Sequence, residues 1–127
     1  MRSPLRIIAF LLGIFFVLQS AGWILNPANA ASGLGMPLLD GLARSTQIGD
    51  LSAFFLTAGV TILLGCRRGS ARLLLVPAGM IGGAAVLRIV AWALHGADFA
   101  TLFIAIEIVT TAILLAAAQR LSAEASI

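Results

Sequence analysis

The chain has no lysine and no tyrosine, a single histidine and a single cysteine, and only 10% of its 127 residues are charged. Soluble domains are about 25% charged and roughly 45–50% apolar, whereas this chain is 61% hydrophobic with a mean hydropathy of +1.09. Its arginines are scattered, so they form no basic stripe that would follow a nucleic-acid backbone. The composition therefore excludes a soluble enzyme, a nucleic-acid-binding module and a disordered tail, and it indicates a membrane protein.

Sites of cofactor chemistry are also missing from the sequence. One histidine and one cysteine do not make a zinc site, a haem site within one chain or a disulfide framework. The chain has no GxSxG, HExxH or phosphate-loop motif, and Gly33-Leu34-Gly35 lacks the third glycine of a dinucleotide fingerprint. We therefore predict no metal, no cofactor and no catalytic residue, and an enzyme is the least favoured interpretation.

Four apolar runs are long enough to cross a membrane, because about 20 helical residues span roughly 30 Å of hydrocarbon. They cover residues 7–25, 46–64, 71–94 and 99–118, with Ser45, Ser70 and Asp98 as expected N-caps and Gly65 as an expected C-cap. The connections after the second and third runs are short. The sequence predicts one all-α domain, residues 1–127, folded as an antiparallel bundle of four transmembrane helices.

The arginines set the expected orientation. With the N-terminus in the cytoplasm, six arginines lie inside, Arg44 lies outside and Arg88 lies within a helix. The six are Arg2, Arg6, Arg67, Arg68, Arg72 and Arg120. This asymmetry predicts that both termini are cytoplasmic, and it places Trp23 and Trp92 near the outer interface, where tryptophan is enriched.

The N-terminus also has features of a secretory signal peptide. Residues 1–6 are basic, 7–18 are apolar, and 28–30 read Ala-Asn-Ala, a small-residue cleavage pattern. The apolar run continues to residue 25, however, which is longer than a usual signal-peptide core. A retained first helix is therefore the favoured interpretation.

The longest connection, residues 26–45, is expected on the outer side. Pro37 is placed to open a short helix in which Asp40 and Arg44 pair at i,i+4. That helix either lies in the interface as a lid, or belongs to an ordinary connection whose leucines fill the outer end of the core. The ordinary connection is favoured, with Leu38, Leu39 and Leu42 filling the outer end of the core.

Polar side chains from all four helices fall in the same outer half of the bilayer. Counting about 1.5 Å per residue puts Asp50, Gln19, Arg88 and Glu107 about 6, 9, 10 and 13 Å below the outer surface. His95 ends the third helix on the stripe that carries Arg88. Ionisable groups at such depth are costly and usually face the bundle interior or a wet cavity.

Arg88 and Glu107 lie at similar depth on neighbouring antiparallel helices, which predicts an ion pair. The favoured interpretation is a structural pair, with or without an extension to Asp50, that fixes the register of the helices. The alternative is an outward-opening polar pocket for a small anionic or zwitterionic ligand, or a carboxylate that carries protons. Small residues around Gly79, Gly82 and Gly83 favour close packing within the bundle, with contact to another subunit second.

The helix layout, the stretch from Arg88 to Asp98 and Glu107 in the last helix resemble bacterial DoxX-like four-helix membrane proteins and their uncharacterised relatives. That resemblance implies the fold and a bacterial inner-membrane location, but no particular activity. In size and helix number the chain also resembles the small multidrug resistance transporters. Those proteins carry an essential carboxylate in the first helix and have a weak charge bias, whereas helix one here has no acidic residue.

Three functions follow, in order of preference. The first is a non-catalytic accessory, assembly or interaction subunit of a larger membrane complex, with the lipid bilayer, other membrane subunits or a second copy as partners. The second is a small transporter or ligand-binding protein that uses Asp50, Arg88 and Glu107. The third is a membrane enzyme of lipid or quinone chemistry, ranked last because no nucleophile–base pair is visible.

Overall fold

The computed structural model describes residues 3–125 and is helical throughout its regular parts. The helices are α1 (Pro4–Leu25), α2 (Pro27–Gly33), α3 (Gly41–Gly65), α4 (Leu75–His95) and α5 (Thr101–Ala125), with a 3₁₀ turn (Ala71–Leu74) leading into α4. Four helical stretches are long and apolar enough to cross a membrane: α1, α3, the 3₁₀ turn with α4, and α5. The predicted all-α fold with four long helices is thus confirmed.

The four long helices run up and down, and the most extensive packing is within two pairs, α1 with α3 and α4 with α5. The end at which α1 begins and α3 ends is called here the arginine-rich end. It carries Arg6, Arg67, Arg68, Arg72 and Arg120, while Arg2 lies outside the described residues. This distribution is the one on which the predicted orientation rests.

Two glycines allow α1 and α3 to approach closely. A Cβ atom on Gly59 would lie 2.7 Å from the backbone nitrogen of Val17 and 2.9 Å from the carbonyl oxygen of Gly13. Close helix contact through small residues is typical of membrane bundles, where the bilayer provides little hydrophobic drive for association. Farther along the same pair, the Ser20 hydroxyl donates a hydrogen bond to the Ser52 carbonyl at 2.9 Å.

The glycines of α4 lie on two different surfaces, one facing α5 and one open. A Cβ atom on Gly82 would lie 3.1 Å from the Thr111 side chain of α5, so this residue supports the predicted close packing within the bundle. Gly79 and Gly83 have no atom within 4 Å of the corresponding position. They lie four residues apart on an open face of α4, which is the spacing of a GxxxG pair.

The buried core lies toward the arginine-rich end of the bundle. Its members include Phe16, Ile62, Leu74 and Leu114, all buried within one cluster. Within the described chain no residue after Ala85 in α4 is buried, and none is buried before Ile104 in α5. The half of the α4–α5 pair that lies away from the arginine-rich end is therefore the least covered part of the bundle.

Polar contacts fasten the arginine-rich end. The Arg6 guanidinium donates to the Cys66 carbonyl oxygen, and its second terminal nitrogen lies 3.5 Å from Glu124 Oε1. The sequence predicts that the fourth helix ends at residue 118. Instead α5 continues to Ala125 with Leu121 buried, because this last turn packs against the start of α1.

The connection between α1 and α3 differs from the predicted one. Its helix is α2, opened by Pro27, whereas Pro37 lies in an extended segment and α3 begins at Gly41 rather than after Ser45. The predicted ion pair of Asp40 with Arg44 is confirmed at 3.1 Å. Leu42 is 84% exposed, so the leucines of this segment do not fill the core as expected.

Gln47 explains why α3 starts early. Its buried amide accepts a hydrogen bond from the Leu39 N–H at 2.9 Å and donates one to the Pro37 carbonyl at 3.0 Å. These bonds hold the extended segment against the first turns of α3, so the helix is supported well before residue 46.

Two other features also correct the sequence reading. α5 begins at Thr101, so Asp98 belongs to the loop and does not cap the helix. Trp23 is 1% exposed and packs inside the protein, unlike the half-exposed Trp92. The end of α1 at Leu25 is the predicted one, and α4 ends at His95, one residue beyond the predicted end, where Gly96 follows with the left-handed φ of 67° that glycine tolerates best.

Candidate functional site

The α4–α5 pair carries one ion pair in its sparsely buried half. Arg88 Nε lies 3.0 Å from Glu107 Oε1 and 3.2 Å from Oε2, and both oxygens accept from that single nitrogen. The guanidinium carbon also lies 4.9 Å from the centre of the Phe103 ring. The predicted pairing of Arg88 with Glu107 is therefore present, and a cation–π contact accompanies it.

The surroundings of the pair hold its two helices in register. One turn along α5, the Thr111 hydroxyl donates to the Glu107 carbonyl at 2.7 Å, and the Thr111 side chain meets Gly82 of α4. On the other side of the pair, the rings of Trp92 and Phe99 meet edge to face, with centroids 5.1 Å apart. The ion pair thus lies between a direct contact of the two helices, Gly82 with Thr111, and a contact of α4 with the loop that precedes α5.

Arg88 keeps most of its hydrogen-bonding capacity unused. A guanidinium has five N–H donors, but only the Nε donor has a partner among residues 3–125. The side chain is 32% exposed, against 17% for Glu107, and neither terminal nitrogen is fully buried. Four N–H groups of Arg88 therefore have no partner among the described residues and stay accessible in part.

The other three predicted site residues do not join this pair. Asp50 is exposed on α3, Gln19 is half-buried on α1, and His95 is exposed at the end of α4. Among the residues that the structure describes, none of these three side chains makes a hydrogen bond or ion pair. The predicted network is thus reduced to Arg88 and Glu107, and the suggested link to Asp50 is not formed.

Some polar residues of the structure were not anticipated from the sequence. Gln47 had no visible signal, because its bonds are to backbone groups that a sequence pattern does not reveal. The contact of Arg6 with Glu124 had one available signal, since Glu124 is the only acidic residue in a part of the sequence expected on the arginine-rich side.

Cys66 lies where α3 ends, beside Arg6. Burial raises the pKa of the Cys66 thiol, and the positive charge of Arg6 offsets part of that rise. A thiol of this kind is less nucleophilic than an exposed one. Among the described residues, no group of three or more His, Cys, Asp or Glu side chains is arranged to hold a metal ion.

Comparison with known proteins adds no relative to this description: no family model, no curated protein and no solved structure matches the chain. The resemblance to DoxX-like proteins therefore stays a prediction from the sequence. The geometry of the residues themselves carries the functional argument.

Proposed function

We propose that this chain is a multi-pass membrane protein that acts as a non-catalytic interaction subunit of a larger membrane complex. Its docking surface is the outer half of the α4–α5 pair, and its partner is a transmembrane helix with a hydrogen-bond acceptor at the depth of Arg88. The location proposed is the bacterial inner membrane, with both termini in the cytoplasm.

The unused donors of Arg88 are the observation that carries this proposal. At about 10 Å below a membrane surface, counted at about 1.5 Å per residue, a guanidinium N–H without an acceptor is costly. Glu107 offsets the charge but leaves four donors free. A carboxylate, amide or carbonyl oxygen from a neighbouring helix would satisfy them.

The surface around Arg88 suits such a helix. Trp92 lies one turn away on the same stripe of α4 and is 49% exposed, and Ile106 of α5 is also exposed. A partly desolvated arginine bordered by a large aromatic ring is typical of residues that dominate binding energy at interfaces. The sparse burial at this end leaves room for a partner without rearrangement of the bundle.

A matched pair of variants tests the proposal. Arg88→Gln removes the donors, and Arg44→Gln makes the same charge change at the same end of the bundle, where Arg44 already pairs with Asp40. After extraction in mild detergent, native mass spectrometry should find a partner protein with the wild type and Arg44→Gln, and at least tenfold less with Arg88→Gln. Arg88→Lys keeps the charge beside Glu107 but loses the planar fork, so it should also lose the partner.

Two results would count against the proposal. One is a wild-type chain that is always recovered alone, and the other is a partner that Arg88→Gln retains in full. Because Arg88→Gln leaves Glu107 without its counterion, its helix content and monodispersity are measured beside the complex. Arg88→Lys supplies the answer if Arg88→Gln is poorly folded.

A second candidate function rests on the same donors. A small anionic ligand would also satisfy Arg88, as in the ligand-binding interpretation of the sequence, but without Asp50 as a member of the site. A thermal shift of the detergent-solubilised protein with a small carboxylate or phosphate compound, abolished by Arg88→Gln and kept by Arg44→Gln, would favour this function over a partner helix.

Carbonate extraction and a C-terminal reporter fusion test the location. The protein should stay in the membrane fraction at alkaline pH, and the reporter should be active only on the cytoplasmic side. Release by carbonate would contradict the membrane assignment, and an externally active reporter would contradict the orientation alone.

A further inference from the structure

A cleft of about 510 Å³ opens at the arginine-rich end, between the start of α1 and the end of α3. One wall is apolar and is formed by Ile7, Phe10, Leu11 and Leu63. The rim is polar and consists of Arg6, Cys66, Arg67, Arg68 and Glu124. No function considered above uses this cleft.

The charges of the rim do not cancel. Arg6 is engaged by Glu124 and by the Cys66 carbonyl, and its side chain is only 20% exposed. Arg67 and Arg68 are exposed, and neither side chain has a hydrogen bond or ion pair with any residue that the structure describes. Two guanidinium groups at the mouth of the cleft are therefore free to bind an anion.

The apolar wall begins directly below the charged rim. Ile7 and Leu11 share one face of α1 at i,i+4, and both are largely exposed, at 48% and 60%. From Arg6 to Leu11 the helix rises about 7 Å, the length of several methylene groups. The cleft thus offers charge at one level and hydrocarbon contact at the next.

We propose that this cleft binds an anionic phospholipid, with the headgroup phosphate at Arg67 and Arg68 and an acyl chain along Ile7 and Leu11. The two free guanidinium groups match a phosphodiester in charge and in hydrogen-bonding geometry. A zwitterionic lipid fits less well, because its ammonium group would meet the same uncompensated positive charge. Basic pockets between membrane helices on the cytoplasmic side recognise anionic headgroups by this chemistry.

The inference rests on insertion of the chain in a membrane but not on the proposed partner at the other end. If the arginines served only to fix the topology, the chain would need no cleft and would bind different lipids equally well. A bound lipid, in contrast, should depend on the two arginines at the mouth and much less on other arginines of the same end. The lipid affinities of variants at the mouth of the cleft and of variants elsewhere at the same end therefore distinguish the two roles.

The test uses the full chain in mild detergent, titrated with dioleoyl phosphatidylglycerol or dioleoyl phosphatidylcholine and followed by native mass spectrometry. The double variant Arg67→Gln/Arg68→Gln is compared with Arg72→Gln/Arg120→Gln, which removes the same charge from the same end outside the cleft. We expect phosphatidylglycerol to bind at least tenfold more tightly than phosphatidylcholine. The cleft variant should lose about thirtyfold in affinity, from about 1 kcal/mol per arginine, and the control less than threefold.

Soluble anions separate a lipid site from a simple phosphate site. Inorganic phosphate and glycerol 3-phosphate carry the headgroup chemistry without the acyl chain, so neither should bind or displace the lipid at millimolar concentration. Displacement by either one at that concentration would overturn the proposal in favour of an anion site.

Two further outcomes would overturn the proposal: equal affinity for the two lipids, or equal loss in the two double variants. The single variants Arg68→Gln and Arg120→Gln make the same comparison if a double variant folds poorly. A chain that retains phosphatidylglycerol but is always recovered without a protein partner would support this inference while contradicting the proposed function.

Discussion

The crossing of α1 and α3 at Gly59 allows a sharp test of the packing. In Gly59→Ala the added methyl would lie 2.7 Å from the Val17 backbone nitrogen and 2.9 Å from the Gly13 carbonyl oxygen. Backbone atoms of a helix do not move aside as a flexible side chain does, so the two helices must separate. Forced overpacking of this kind costs about 1–3 kcal/mol, and the better helix propensity of alanine offsets at most about 1 kcal/mol.

Gly49→Ala is the matched control, because Gly49 lies in the same helix and has no atom within 4 Å of the added methyl. For a chain of this length about 1 kcal/mol corresponds to roughly 4 °C in Tm. Because the contacts are with backbone atoms, the upper end of the cost applies, about 3 kcal/mol less about 1 kcal/mol, so we expect Gly59→Ala to lower the Tm by about 8 °C. We expect Gly49→Ala to leave the Tm unchanged or to raise it by up to about 4 °C.

The assay is thermal unfolding in mild detergent with all variants made in a Trp92→Phe background, so that the fluorescence comes from Trp23, which is buried in α1 and reports its separation from the bundle. Far-ultraviolet circular dichroism is less suitable, since the individual helices persist in detergent. A Tm for Gly59→Ala at or above that of the wild type would refute the close approach, and so would an equal loss in Gly49→Ala.

Two other predictions concern polar contacts at opposite ends of the bundle. Gln47→Leu removes the acceptor of the Leu39 N–H, so exchange of that amide with deuterium should accelerate by one order of magnitude or more, as expected for a bond of about 1–3 kcal/mol. The control Gln19→Leu, at a position without a side-chain bond, should leave the exchange rate of the Leu39 amide unchanged. Equal exchange rates in the two variants would contradict the role of Gln47. Since burial raises the pKa of Cys66, its alkylation should stay slow at neutral pH and accelerate only at a higher pH than for an exposed cysteine. The stability linked to the protonated thiol is present below the unfolded pKa and lost as pH rises through the higher folded pKa; a reactivity midpoint at or below that of a free cysteine would contradict this.

The fold was largely predictable because four apolar runs of membrane-spanning length restrict the choices. Hydrocarbon excludes unpaired backbone groups, so each long apolar run becomes a helix, and short connections make successive helices antiparallel. Because a helix rises by a constant distance per residue, the depth of each side chain could be counted along its helix. Arg88 and Glu107 were paired from that count, and the structure places Arg88 Nε 3.0 Å from Glu107 Oε1.

Counting depth along the helix failed to place Asp50, because depth does not determine the direction in which a side chain points. Equal depth brings two side chains together only if their helices also face each other at those positions, and the faces of α3 and α4 are set by packing elsewhere. Close contact at Gly59 turns α3 toward α1, and Asp50 is left exposed. Depth together with a choice of neighbouring helix was sufficient for α4 and α5, whose short connection leaves little freedom.

Helix ends were harder to predict for a related reason. Ser45 has the chemistry of an N-cap, but α3 begins at Gly41 because Gln47 binds the preceding segment through Leu39 and Pro37. These hydrogen bonds join a side chain to backbone groups eight and ten positions earlier in the chain. Backbone groups are present at every position of every sequence. No residue pattern therefore distinguishes this end from its alternatives.

Two partly buried arginines, Arg6 and Arg88, show how a side chain that uses its donors within the bundle differs from one that does not. Arg6 uses both terminal nitrogens within the bundle, one on the Cys66 carbonyl and one on Glu124, and so ties α1 to α3 and α5. Arg88 ties α4 to α5 through Nε alone, and none of its four other N–H donors has a partner among residues 3–125. If Arg88 served only the register of its helices, a side chain with fewer donors would do so at lower cost. The surplus donors are therefore the reason to look for a partner at this end of the molecule.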